Sequence, residues 1–216
     1  MSGSSSISME TLEEFTAALA EKTSIPGGGA AAGSALAHGA GLGGMVTSFS
    51  LGKKSLLDHQ EMLGSISGEL DRIRVRGLEL ADADAAAFAA LAATWTEEPK
   101  ASIEKQIETI RNAITPPLDI VTEAGTAADA LARLVGRSNR RLVSDLAIAA
   151  GFVALAAEAA AWNVEMNLDA LRALPGEDAS IDLESADLQR MVETIRSMCD
   201  RIVLACRTAP AQPMTD

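Results

Sequence analysis

Residues 70–95 read LDRIRVRGLELADADAAAFAALAATW. Steps of three and four residues pick out Leu70, Ile73, Gly77, Leu80, Asp84, Phe88, Leu91 and Trp95, all apolar or Gly except Asp84. That is the period of an α-helix with one face turned to a core. The alternation that marks a half-buried strand is missing here and elsewhere, so no strand is expected. The pattern extends upstream and predicts one long helix over Leu56–Trp95, with Gly64 or Gly68 as the place for a kink.

The same period recurs outward from this stretch. Met9–Glu21 predicts a helix that starts near Ser8 or Thr11, with acidic residues in its first turn as the helix dipole prefers. TSIPGGG at Thr23–Gly29 is a break. Ala30–Leu51 is a helix of small residues in which Gly29, Gly33, Ala37 and Gly41 recur every fourth position, leaving a flat stripe that another backbone can approach. Gly52–Ser55 and Thr96–Pro99 are further breaks. Ala101–Ala113 and Pro117–Leu134 are expected as two helices divided at Pro116-Pro117. After a turn at Gly136–Asn139, Arg141–Leu174 is a long Ala-rich helix stopped by Pro175-Gly176, and Leu183–Arg207 is the last. No linker divides the chain and no repeat appears. The expectation is an all-α, single-domain helical bundle over residues 9–207, between tails at 1–8 and 208–216.

Composition narrows the function. The chain has 216 residues and 48% apolar content, enough for one buried core. Its 18 Lys+Arg against 30 Asp+Glu give −12, which argues against a nucleic-acid partner. Two Cys cannot build a disulfide scaffold, and two distant His do not suggest a zinc site. Cys199 and Cys206 are expected as reduced thiols in the core or an interface. The opening MSGSSSISM lacks a cationic start and an apolar run, so it reads as a frayed tail rather than a secretion signal. The apolar runs 30–51 and 146–162 are rich in Ala and Gly and read as poor membrane spans. A soluble, cytoplasmic protein is the expectation.

Four groups of residues carry candidate chemistry. Asp84 interrupts an apolar stripe, so it is either paired, with Arg133 or Arg140, or held in a pocket that raises its pKa toward acid–base use. Asp82 lies about 200° around the helix and cannot share that pocket. The loop Pro26, Gly27, Gly28 and Gly29 opens a helix whose free N–H groups suit an anion. It is neither a Walker loop nor a dinucleotide fingerprint, and close packing would explain its glycines equally. Asp145, Asn163 and Asn167 share one side of a helix, although Asp145 and Asn163 are roughly 27 Å apart. They suit a long ligand, a pocket shared between subunits, or ordinary capping. Lys53, Lys54, Arg140 and Arg141 either hold carboxylates or form a solvated surface. His38 reads as a packed or exposed singleton.

Four segments, in this order, resemble the cyclodeaminase/cyclohydrolase family of folate enzymes, which is related to the cyclodeaminase half of formimidoyltransferase-cyclodeaminase. They are TSIPGGGAAAGSALAHGAGLGGMV with LGKKS, ADADAAAF (Ala81–Phe88), SNRRLVSDLAIAA (Ser138–Ala150) and NVEMNL (Asn163–Leu168). The chain departs from the family at Ala30, at Ser55-Leu56 and after Trp95.

The resemblance implies an all-α fold, a homodimer or larger assembly, and a tetrahydrofolate ligand with no metal or further cofactor. It places Asp84 on the catalytic aspartate. It points to Pro26, Gly27, Gly28, Gly29, Lys53, Lys54, Asn139, Asp145, Asn163 and Asn167 as substrate contacts, with the glycine loop and the lysines together on the glutamate tail. Two activities follow from it: a 5,10-methenyltetrahydrofolate cyclohydrolase, favoured by a chain that carries no formimidoyltransferase segment, or a formimidoyltetrahydrofolate cyclodeaminase that releases ammonia. A non-catalytic folate-binding helical protein is the third reading, from a different class.

Overall fold

The computed structural model describes residues 6–175 and 179–208. Among them are six α-helices and no strand. The helices are α1 (Leu12–Ala20), α2 (Gly28–Ser48), α3 (Gln60–Trp95), α4 (Ile103–Leu134), α5 (Val143–Arg172) and α6 (Ala179–Thr208). Helix α2 packs between α3 and α5, while α4 lies across α3, α5 and α6. One core of Leu, Ile, Val and Ala side chains runs through the bundle.

Local chemistry explains the helix ends. Thr11 caps α1 through a reciprocal capping box with Glu14. Ser102 caps α4 by accepting from the Lys105 N–H. Gly52 adopts φ 76°, a left-handed turn that favours glycine, between α2 and the short turn Lys54–His59.

Several expectations need correction. The segment at Ile7–Met9 is an ordered helical turn rather than a frayed tail. The Ile7 N–H donates to Asp82 Oδ1 at 2.6 Å, and the Ser6 hydroxyl donates to Oδ2 at 2.5 Å. Residues 1–5 and 209–216, most of the two expected tails, lie outside the described residues. Helix α3 begins at Gln60, after a turn, and runs unbroken to Trp95. Gly64 and Gly68 face open space and introduce no kink. The far end of the stripe leaves the core: Trp95 is 66% exposed and meets Phe88 edge-on at 5.9 Å.

Helix α4 passes straight through Pro116 and Pro117 instead of dividing there. A proline at 117 removes the N–H that would bond the carbonyl of residue 113. The Asn167 side-chain amide donates to that same Ala113 carbonyl at 3.1 Å. An inter-helix bond from α5 therefore replaces the lost bond within α4. It compensates for the N–H missing at Pro117.

The segment Arg140–Arg172 is long and apolar enough to cross a membrane, whereas the sequence read it as a poor span. In the bundle α5 buries one face, with Leu146, Ala149, Ala150, Val153, Ala157 and Val164 in the core, and leaves Ile148, Leu155, Trp162 and Met166 exposed on the other.

Candidate functional site

Two glycines set the geometry around Asp84. A Cβ on Gly33 would lie 2.6 Å from the Gly77 carbonyl oxygen, and one on Gly77 would lie 2.8 Å from that of Gly33. The backbones of α2 and α3 therefore cross in direct contact. Two turns along α3 from Gly77, Asp84 arrives at the first turn of α2. A side chain on Gly29 would overlap both carboxylate oxygens of Asp84. The Ala30 N–H donates to that carboxylate, as an orphan donor at a helix start can.

Burial dominates the electrostatics. Removal of Asp84 from water pushes its pKa up from 3.8 to about 6, against the opposing pull of the Ala30 N–H. The cations that the sequence offered as partners are elsewhere. Arg133 pairs with Glu69 at 3.4 Å, and Arg140 lines a cavity at the other end of α2. Phe15 and Ile7 pack with Ala30 and Ala81 behind the carboxylate and help to keep it dry.

Asn163 flanks the same turn from the opposite side. Both amide heteroatoms lie 3.6 Å from the point where a Gly28 side chain would begin, and the amide donates to the Ala159 carbonyl at 2.9 Å. Gly28 is exposed, so the first turn of α2 is open to a ligand between Asp84 and Asn163. Pro26 and Gly27 lead into this turn. Gly27 is its N-cap and has no side chain to occupy the free N–H groups.

The other candidates do not join this site within one chain. Lys53 and Asn139 line a cavity of about 610 Å³ at the C-terminal end of α2, with His59, Ser55, Arg140 and Arg141. The length of α2 puts this cavity roughly 30 Å from Asp84. The expectation that the glycine loop and the lysines grip one tail is therefore not met inside a single chain. Lys54 is exposed beside the cavity.

Asn139 stitches the two helix ends together. Its backbone N–H donates to Ser50 Oγ at 2.8 Å, its amide to the Phe49 carbonyl at 3.3 Å, and its side-chain oxygen accepts from the Arg141 N–H. Asp145 sits in the first turn of α5, five turns from Asn163. Asn167 is committed to Ala113. His38 stacks on Phe152 with ring centroids 5.6 Å apart and bonds the Ser34 carbonyl at 2.7 Å, as a packed surface histidine does.

Sequence reasoning missed three features. His59 joins the cationic cavity only because the Lys54–His59 turn folds back. Asp82 holds the N-terminal turn. Ala30 supplies a donor through its backbone, which no side-chain motif could show.

A helical bundle that presents one desolvated, unpaired carboxyl group beside an open helix start is suited to moving a proton on a bound ligand. The chain belongs to the formiminotransferase-cyclodeaminase family, whose model matches residues 11–174. It is 28% identical over 202 residues to a methenyltetrahydrofolate cyclohydrolase of Methylorubrum extorquens, a match that covers 87% of this chain and 97% of that protein. It is 26% identical over 163 residues to the formimidoyltransferase-cyclodeaminase of Gallus gallus, where the match covers 73% of this chain and 30% of that longer protein. A crystal structure of a formiminotetrahydrofolate cyclodeaminase from Thermotoga maritima has the same fold, with a TM-score of 0.81, 22% identity, and coverage of 92% of this chain and 98% of that one.

Proposed function

We propose that this protein is a folate one-carbon enzyme that hydrolyses 5,10-methenyltetrahydrofolate to 10-formyltetrahydrofolate. The carrying observation is the Asp84 carboxyl, desolvated to a pKa of about 6 and held at the start of α2. The similarity to a cyclohydrolase along 97% of its length favours this activity over its relatives.

The bridge carbon between N5 and N10 of the substrate is cationic, so the electrophile is supplied by the substrate itself. The protein must move protons. Asp84 in its ionised form takes a proton from a water molecule as the oxygen bonds to the bridge carbon. The resulting carboxylic acid then gives that proton to N5 as the carbon–N5 bond breaks. The second water proton leaves for solvent as the adduct closes to the formyl group on N10. A pKa near 6 lets one group do both tasks near neutral pH. Gly28 and Asn163 orient the ring system beside Asp84. The enzyme works as a homodimer in the cytoplasm, a compartment that suits the free thiols Cys199 and Cys206.

The family and the Thermotoga maritima fold also support a second reading. In a formimidoyltetrahydrofolate cyclodeaminase, N10 attacks the formimidoyl carbon, ammonia leaves and Asp84 carries the protons. The test is to offer each folate separately. Loss of the methenyl absorbance band identifies the cyclohydrolase. Appearance of that band with ammonia release identifies the cyclodeaminase. Neither change would contradict both readings.

A further inference from the structure

Asp82 and Asp84 leave α3 in different directions, and Ala81 lies between them. Around the helix Ala81 is about 60° from Asp84 on one side and about 100° from Asp82 on the other. Ala81 is fully buried, packed with Ile7, Phe15 and Ala30. Ala30 is the residue whose N–H reaches the Asp84 carboxyl. The apolar cover beside that carboxyl is therefore built partly by Ile7 and Phe15, from the segment that precedes α2.

This N-terminal segment is lightly held. Phe15 is the one residue that α1 buries, and the turn Ile7–Met9 buries none completely. Residues 21–25, which join α1 to the glycine loop, are exposed. A segment with so few buried contacts opens more readily than a core helix. What fastens this one is Asp82, whose two oxygens accept from the Ser6 hydroxyl and the Ile7 N–H. A carboxylate that takes two such donors is a strong anchor.

We propose that Asp82 is a positioning residue for the Asp84 chemistry: it clamps the N-terminal turn to α3, and the clamped turn keeps water from the back of the Asp84 carboxyl. The proposal rests on the proton-transfer role given to Asp84 above. Asp82 touches no reacting atom itself, because it projects about 200° around the helix from Asp84.

The lever is the pair of hydrogen bonds and not the charge. Helix α2 carries no Asp, Glu, Lys or Arg. The charged residues on the other elements around the site are Glu10 to Glu14 in the N-terminal segment, Glu79 and Asp82 on α3, and Glu158 and Glu165 near Asn163 on α5. None of these carboxylates is a cause of the Asp84 shift, which comes from burial against the opposing pull of the Ala30 N–H.

NMR titration of the aspartate carboxyl groups tests this on the full chain without substrate, with Asp84 assigned from Asp84→Asn. The wild-type Asp84 midpoint is expected near 6. Asp82→Ala releases both donors, and the Asp84 midpoint should then fall by about one pH unit. Asp82→Asn keeps an acceptor for the Ile7 N–H and can donate to the Ser6 oxygen, so it should leave the midpoint in place. Ile7→Ser keeps the backbone bond but removes the apolar cover, and should lower the midpoint as Asp82→Ala does. An unmoved midpoint in Asp82→Ala or in Ile7→Ser would overturn the proposal. So would a fall in Asp82→Asn as large as that in Asp82→Ala, which would make the lost charge the lever.

Turnover supplies the second readout. In Asp82→Ala the rising limb of kcat against pH should move down with the NMR midpoint, while KM stays unchanged. A limb that stayed in place while the midpoint fell would overturn the link to the chemistry. If the wild type turned over neither folate, the functional reading would fail, while the midpoints would still decide whether Asp82 and the turn keep Asp84 dry.

Discussion

Gly29 approaches the carboxyl group of Asp84 so closely that position 29 has no room for any side chain. The contact joins the first turn of α2 to the middle of α3, and it depends on the crossing of Gly33 and Gly77 one to two turns away. Gly29→Ala must therefore push the carboxylate out of its place. We predict a loss of turnover of about 100-fold or more, the scale of a 1 Å misplacement. Gly28→Ala is the control: its new methyl meets Asn163 at an ordinary 3.6 Å. It should leave thermal stability nearly unchanged, as a melting curve will show.

The raised pKa of Asp84 also predicts how stability varies with pH. The folded chain holds the Asp84 proton more tightly than the unfolded chain does, about 6 against 3.8. The stability from that proton is fully present below about pH 4 and is lost as pH rises through about 6. Asparagine has no charge to desolvate. Asp84→Asn should thus be more stable than wild type at pH 8 by on the order of 1–3 kcal/mol, with the difference vanishing below about pH 4. Urea titrations at the two pH values measure it. Equal stability at pH 8 would mean that the ionised carboxylate is not desolvated.

Asn167 and Pro117 form a coupled pair across two helices. Asn167→Ala leaves the Ala113 carbonyl without its inter-helix donor and should cost about 1–3 kcal/mol. Pro117→Ala restores a backbone N–H in α4, so the same Asn167→Ala change should cost less in that background. A double-mutant cycle by chemical denaturation reads the coupling. Additive costs would show that Asn167 does not stand in for the missing N–H. Asn167→Ala should change folding stability more than kcat, which separates it from Asn163.

The sequence showed the fold because helical period is a local property. Leu70, Ile73, Gly77, Leu80 and Leu91 of α3 and Gly29, Gly33 and Ala37 of α2 specify faces that must bury, and they do. Asp84 was visible for the same reason, as a carboxylate on an apolar stripe.

What the sequence hid depends on contacts between distant segments. Pro116-Pro117 looks like a break until Asn167 arrives from another helix to bond Ala113. Ser6–Met9 looks like part of a loose tail until Asp82 accepts from Ser6 and Ile7. The lysines and the glycine loop look like neighbours in a short sequence, but a straight helix of 21 residues separates them. The resemblance to folate enzymes groups the glycine loop with the lysines, while a single chain holds them at two ends of α2.

The dependence of turnover on pH follows from the same group. Asp84 must be ionised to accept the proton of water. The rate of methenyltetrahydrofolate hydrolysis should therefore climb as pH rises through about 6 and level off above it. Stopped-flow absorbance after subtraction of the uncatalysed rate measures this limb. A rate that does not vary between pH 5 and 7 would remove Asp84 as the base.

The most direct measurement is the loss of the methenyltetrahydrofolate absorbance band with wild-type protein and with Asp84→Asn, in a buffer where the spontaneous reaction is slow. We predict rapid loss with wild type, a fall of about 100- to 10,000-fold with Asp84→Asn, and folate binding largely intact in the variant. Undiminished turnover by Asp84→Asn would contradict the central claim that this carboxyl group carries the proton.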